Sequence, residues 1–194
     1  MKTLNKYITE WKLNDQSAKT IDNKSYYFVY KIREKQHIRI FDCDWPQFND
    51  YKDKVYMNRI NVSLNTAGYT LNIYKAGTYK FEIEDIDEIK SCEYMFWGCD
   101  NLIEVPLFDT SNVYDMYSMF YNCKNLEYIP LFDTRKVETM TEMFRGCIKL
   151  TKVPLFNTSN VKGMQWMFAG CKNLSDQSKK DWSQIYDFEW QNKK

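Results

Sequence analysis

Apolar positions in the second half of the chain recur every 24 residues. Three full copies run from Met95 to Ser118, Met119 to Glu142 and Met143 to Trp166, each reading M-F-x-(G or N)-C-x-x-L-x-x-(V or I)-P-L-F-(D or N)-T-x-x-V-x-x-M-x-x. A fixed period of this length marks stacked units, because one unit cannot bury its apolar side alone. Within the second copy, Ile129-Pro130-Leu131 alternates like a short strand, which places Ile129 and Leu131 on one face. Val137, Met140 and Met143 follow at intervals of three, the spacing of a helical or 3₁₀ return. Asp133 and Thr134 take the turn and N-cap between them, as do Asp109 with Thr110 and Asn157 with Thr158. Pro106, Pro130 and Pro154 recur in register, so pairing between units must be short and leave the proline nitrogens outside it.

The array has incomplete ends. Ile83 falls on Leu107, Asp85 on Asp109, Ile89 on Val113 and Cys92 on Met116, while Met167 to Leu174 repeat the first half of a unit. Beyond Ser175, the residues Trp182, Ile185, Tyr186 and Trp190 are spaced for one helix face, as a C-terminal cap requires. The first eighty residues are different material. Leu4, Tyr7, Ile8 and Trp11 predict a short leading helix. Tyr26 to Ile32, His37 to Phe41, Val55 to Met57, Ile60 to Leu64 and Tyr69 to Tyr74 read as strands, and a hairpin through Ala76-Gly77 leads into Tyr79, Phe81 and Ile83 on one face.

The motif Met95-Phe96-Trp97-Gly98-Cys99-Asp100-Asn101-Leu102, followed by Leu107-Phe108-Asp109-Thr110-Ser111-Asn112-Val113, resembles the BspA-like class of leucine-rich repeats over residues 83 to 174. The resemblance implies a right-handed solenoid of short parallel strands. Members of that class are mostly bacterial, protozoan or phage-borne, often on surfaces, and are implicated in adhesion and protein binding rather than catalysis. The expected fold class is therefore α+β. An N-terminal antiparallel β unit (1–80) caps a leucine-rich-repeat-like solenoid with helical returns (81–174), and a capping helix (175–194) closes it.

Charge adds a gradient to this picture. The net charge is only +1, which implies no general attraction to nucleic acid or membrane. Residues 1–80 nevertheless carry 14 Lys/Arg against 8 Asp/Glu, and residues 81–94 carry one Lys against six acids. The three copies then run from −4 through −1 to +4. Cys99, Cys123, Cys147 and Cys171 hold one repeat position, which predicts a column of buried thiols rather than a disulfide framework. Free thiols, no signal peptide and no transmembrane run favour a cytoplasmic or phage-associated location over secretion.

Catalytic patterns are missing. The single histidine, His37, sits in a strand pattern without a nucleophile motif. There is no glycine-rich phosphate loop, and the acids of Glu82 to Glu88 lack calcium-loop spacing. No catalytic, cofactor or metal site is expected. The positive signal is large side chains at variable repeat positions: Trp97, Tyr121 and Arg145 in one register, Tyr114, Tyr117, Tyr128 and Trp166 in others. Aromatics and arginine dominate interface hot spots. These seven residues mark the expected surface for a protein partner, with no nucleic acid and no membrane insertion. Self-association, as in a structural component of a bacterial surface or phage particle, is the alternative expectation.

Overall fold

The computed structural model describes residues 25–33, 36–42, 44, 46–47, 50, 55–57, 60–61, 70–73, 76–84, 86 and 89–187. The leading helix expected around Leu4 to Trp11, and Trp190 of the expected cap, lie outside them.

Alternation builds the first half. The strands are β1 (Ser25–Ile32), β2 (Gln36–Arg39), β3 (Val55–Met57), β4 (Ile60–Asn61), β5 (Thr70–Ile73) and β6 (Gly77–Glu84). A seventh, β7 (Leu102–Glu104), comes from the first repeat. Five strands form one antiparallel sheet in the order β4-β3-β6-β1-β7, and β2 pairs with β5 separately. Phe28 and Tyr30 of β1 lie opposite Phe81 and Tyr79 of β6, and all four are buried. That is the period-two pattern of a half-buried strand. The expected hairpin does not form: β5 takes β2 as partner, while β6 runs between β1 and β3.

The repeats overturn the expected fold class. The chain is mostly β, with one short helix among the described residues, α1 (Asp176–Trp182). There is no solenoid of parallel strands with helical returns. The only strand inside the repeats, β7, is antiparallel to β1. Successive copies instead meet at single parallel bridges, Ser91 to Asp115 to Thr139 to Gly163 and Glu104 to Tyr128 to Lys152. The interval-of-three spacing comes from consecutive tight turns. Met119, Tyr121 and Cys123 donate their amides to the carbonyls of Met116, Ser118 and Phe120. The amides between them are spoken for elsewhere: Ser118, Phe120 and Asn122 donate to Thr141, Met143 and Arg145 of the next copy. Alternate donors thus close turns and bridge copies, so each amide from Ser118 to Cys123 is satisfied without a helix.

The expected N-caps are turn residues too. Asp109, Asp133 and Asn157 accept side-chain bonds from the amides two residues on, which is an Asx-turn. Thr110 and Thr134 donate their hydroxyls to the carbonyls of Asp133 and Asn157 in the following copy. Leu131 is not inward-facing. It is 60% exposed while Ile129 and Phe132 are buried, and Leu107 and Leu155 repeat that exposure. Phe132 donates its amide to Pro130, a tight turn that swings Leu131 outward. The prolines take no part in the bridges.

The interior columns hold. Phe96, Phe120, Phe144 and Phe168 stack with centroids 5.4, 5.7 and 5.8 Å apart. Cys99, Cys123, Cys147 and Cys171 are free and buried. The last three donate Sγ–H to the carbonyls of Phe96, Phe120 and Phe144 at 3.0 Å. Burial pushes these thiols well up, Cys171 to about 12, so they act as small hydrophobes. Charge drift along the axis becomes pairing between copies, Lys124 with Asp100 and Lys162 with Glu138.

Candidate functional site

Five of the seven expected surface residues gather on one flank. The column begins in the β unit, where the Arg39 guanidinium lies 5.3 Å from the Trp97 ring centroid. Trp97 stacks on Tyr121 at 5.6 Å with the rings 14° apart. The Arg145 guanidinium then lies between Tyr121, at 5.7 Å, and Trp166, at 5.8 Å. The result is a ladder of cation, ring, ring, cation, ring. Its rungs follow the spacing of stacked backbones, ~4.8 Å between neighbours, which brings each side chain within stacking or cation–π range of the next. Tyr117 sits beside the ladder, edge-on to Tyr94 at 5.3 Å. Tyr114 and Tyr128 are exposed and belong to neither group.

The arginines are fixed at both ends. Arg39 donates to Asp42 Oδ2 at 2.7 Å and to the Trp97 carbonyl at 3.1 Å. Asp42 is buried, and its other oxygen accepts the Asp44 amide at 2.9 Å. Arg145 donates to Glu142 Oε1, while Glu142 Oε2 accepts the Ser118 hydroxyl at 3.3 Å.

Beside the ladder a cleft of about 340 Å³ opens, lined by Asp42, Asp44, Tyr94, Trp97, Tyr117, Ser118, Tyr121 and Glu142. Burial raises the Tyr94 phenol to about 12, helped by the neighbouring Tyr117, Glu93 and Asp44. Asp115, whose carboxylate accepts the Tyr117 amide at 2.7 Å, is also raised by burial, as is Glu93. All of these shifts oppose negative charge on this side of the molecule.

Backbone conformation sets the cleft apart. Each copy turns through the left-handed region twice. One of these positions is Gly98, Asn122, Gly146 and Gly170 in successive copies, and the other is Tyr94, Ser118, Glu142 and Trp166. The first follows the usual economy, since glycine adopts positive φ without steric cost. The second never uses glycine, although a non-glycine residue there costs on the order of 1–2 kcal/mol. Three of its four occupants line the cleft and the fourth closes the ladder. The strained position thus supplies Tyr94, Ser118 and Glu142 to the cleft and Trp166 to the ladder.

His37 lies in β2, opposite Asn72. Among the described residues, no three His, Cys, Asp or Glu side chains group as a metal site. No described helix is long and apolar enough to cross a membrane. Sequence reasoning missed Arg39, Asp42, Asp44, Tyr94, Ser118 and Glu142. Tyr94 and Glu142 share the repeat position of Trp166, which was the available signal; Arg39, Asp42 and Asp44 come from the β unit, outside any period.

No curated protein and no solved structure matches the chain. A family profile matches residues 84–191, more than half of its length and the whole of the repeat array that carries the ladder. The chain belongs to that family, described as Mycoplasma protein of unknown function, DUF285.

Proposed function

We propose that the chain is a non-catalytic protein-binding or adhesion module that presents the arginine–aromatic flank to a protein partner. The ladder from Arg39 to Trp166 carries this reading. Its residue types are those of interface hot spots. Its side chains are already stacked and ion-paired, so little rotamer freedom remains to be lost on binding. The resemblance of the motif over residues 83 to 174 to BspA-like leucine-rich repeats supports the same use, and it concerns sequence rather than strand geometry. Free buried thiols support a reducing compartment, cytoplasmic or phage-associated.

The test is affinity capture from the native host with the full chain and with Trp97→Ala/Arg145→Ala. The expected outcome is a protein retained by the native chain, lost at least tenfold by the double variant and kept by Tyr114→Ala. Equal retention by all three would remove the flank from consideration.

A second reading, self-assembly into a surface or phage structure, draws on the exposed column Leu107, Leu131 and Leu155. Sedimentation across a concentration series separates the two. A concentration-independent monomer supports the binding module. An oligomer abolished by Leu131→Asp supports assembly.

A further inference from the structure

We propose that the cleft beside the ladder receives an alkylammonium group, the side-chain end of a lysine or Nε-methylated lysine on the protein partner. The proposal rests on the protein-binding reading and specifies what the flank recognises.

The lining sets the sign of the ligand. Four aromatic side chains (Tyr94, Trp97, Tyr117 and Tyr121) and three carboxylates (Asp42, Asp44 and Glu142) surround the space, and among the described residues no lysine or arginine lines it. Asp115 and Glu93 flank the Tyr94–Tyr117 pair. An anion would meet the carboxylates of Asp42, Asp44 and Glu142 and the electron-rich faces of the rings. A cation meets complementary charge, and aromatic faces attract ammonium groups through their quadrupoles.

The hydrogen bonds narrow the class. Both oxygens of Asp42 are engaged, by Arg39 and by the Asp44 amide, and both oxygens of Glu142 by Arg145 and the Ser118 hydroxyl. A calcium ion needs six to eight oxygen ligands in direct contact, and these oxygens are already committed. An alkylammonium is different. It gains from the field of the carboxylates and from ring contact without displacing those bonds, most of all when methylation has removed its own donors. The volume of about 340 Å³ lies at the small end of ligand pockets, ~300–1,000 Å³. That suits the end of a side chain rather than a cofactor.

Arg39 and Arg145 do not reverse the sign. Each is paired to a lining carboxylate and lies against a ring of the ladder. They hold Asp42, Glu142, Trp97 and Tyr121 in place as the walls of the cleft.

Calorimetric titration of the full chain with three probes tests the proposal: Nα-acetyl-lysine methylamide, its Nε-trimethyl form and its neutral Nε-acetyl form. The two charged probes are expected to bind, with the neutral one at least tenfold weaker. Tighter binding of the trimethyl probe assigns methyllysine; equal binding assigns unmodified lysine. Trp97→Leu, at an exposed position, is expected to weaken the charged probes at least fivefold. Tyr114→Leu, outside the cleft, leaves them unchanged. Binding of the neutral probe as tight as the charged ones, no binding of any probe, or no effect of Trp97→Leu overturns the proposal. Partner capture keeps the two readings apart. A partner retained through the flank after its lysines have been acetylated overturns the cleft proposal alone. A native chain that retains no partner fails the protein-binding reading, whatever the probes do.

Discussion

At the scale of single residues, the repeat separates inside from outside by turns rather than by strand alternation. Leu126 is fully buried in the core, while Leu131, five positions on, is 60% exposed. Alternation through Ile129-Pro130-Leu131 predicts both Ile129 and Leu131 inside. The tight turn at Pro130 removes Leu131 from the core, and its signal is the proline itself. Replacing Leu126 by alanine is expected to cost about 2–5 kcal/mol, the range for a buried leucine that leaves a cavity. Leu131→Ala is expected to cost under about 0.5 kcal/mol, as surface changes do. Denaturant midpoints of the two variants measure the difference. Similar losses at both positions would mean that Leu131 is packed and the inside–outside register is wrong. Site residues were legible to the same degree. Trp97, Tyr121, Arg145 and Trp166 stand out because they are large side chains where the period allows anything. Asp42 and Asp44 do not stand out, because only tertiary contact brings them to the cleft.

At the scale of elements, strands were legible and turns were not. Period-two alternation marks β1, β3 and β6, where one face is buried and register is fixed by it. The interval of three in Val137, Met140 and Met143 fits a helix equally well, and periodicity cannot separate a helix from consecutive turns. What decides is the left-handed backbone at Ser118, Glu142 and Trp166. Nothing in those residue types announces it. The hairpin reading before β6 failed because Gly77 already belongs to β6, where it pairs with Ile32 of β1, and β5 pairs with β2.

The closing element, α1, is short and still has a defined task. Ser175 caps it by accepting the Ser178 amide. Trp182 packs edge-on to Phe156 and Phe168 at 5.8 and 5.3 Å, and its indole N–H donates to the Val153 carbonyl at 3.3 Å. Tyr186 is buried against Phe168, while Ile185 is partly exposed. Trp182→Ala is therefore expected to cost about 3–5 kcal/mol, the range for a large buried aromatic. It also uncovers Phe156 and Phe168 at the end of the array, where terminal units need a polar outer face for solubility. Light scattering on heating is expected to show earlier aggregation than for Ile185→Ala. Matching behaviour of the two variants would show that α1 does not cover the last copy.

At the scale of the whole molecule, the aromatic contacts run without a break from the sheet to the C-terminal helix. Phe28 of β1 lies 5.2 Å from Phe96, and the stacked column continues through Phe120 and Phe144 to Phe168, where Trp182 and Tyr186 close it. The first copy is also hydrogen-bonded into the sheet: β7 pairs with β1, and Lys31 exchanges bonds with Asn101. All buried apolar residues of the described chain form one cluster. Repeat arrays usually behave as a sum of nearest-neighbour units that can unfold in parts. Here the array is only three copies long, and its first copy shares a sheet with the β unit, so partial unfolding would expose the Phe28–Phe96 contact and leave an edge of β1 unpaired. We therefore expect one cooperative transition. Far-ultraviolet dichroism, which reports the sheet, and tryptophan fluorescence, which includes Trp97 and Trp166 of the array and Trp182 of α1, should give coincident midpoints in denaturant. The calorimetric and van't Hoff enthalpies should also agree. Two separated transitions, or fluorescence changing before dichroism, would show that the repeats melt apart from the β unit. The Arg39–Trp97 rung would then break at the first step, and binding at the flank would be lost before the sheet unfolds.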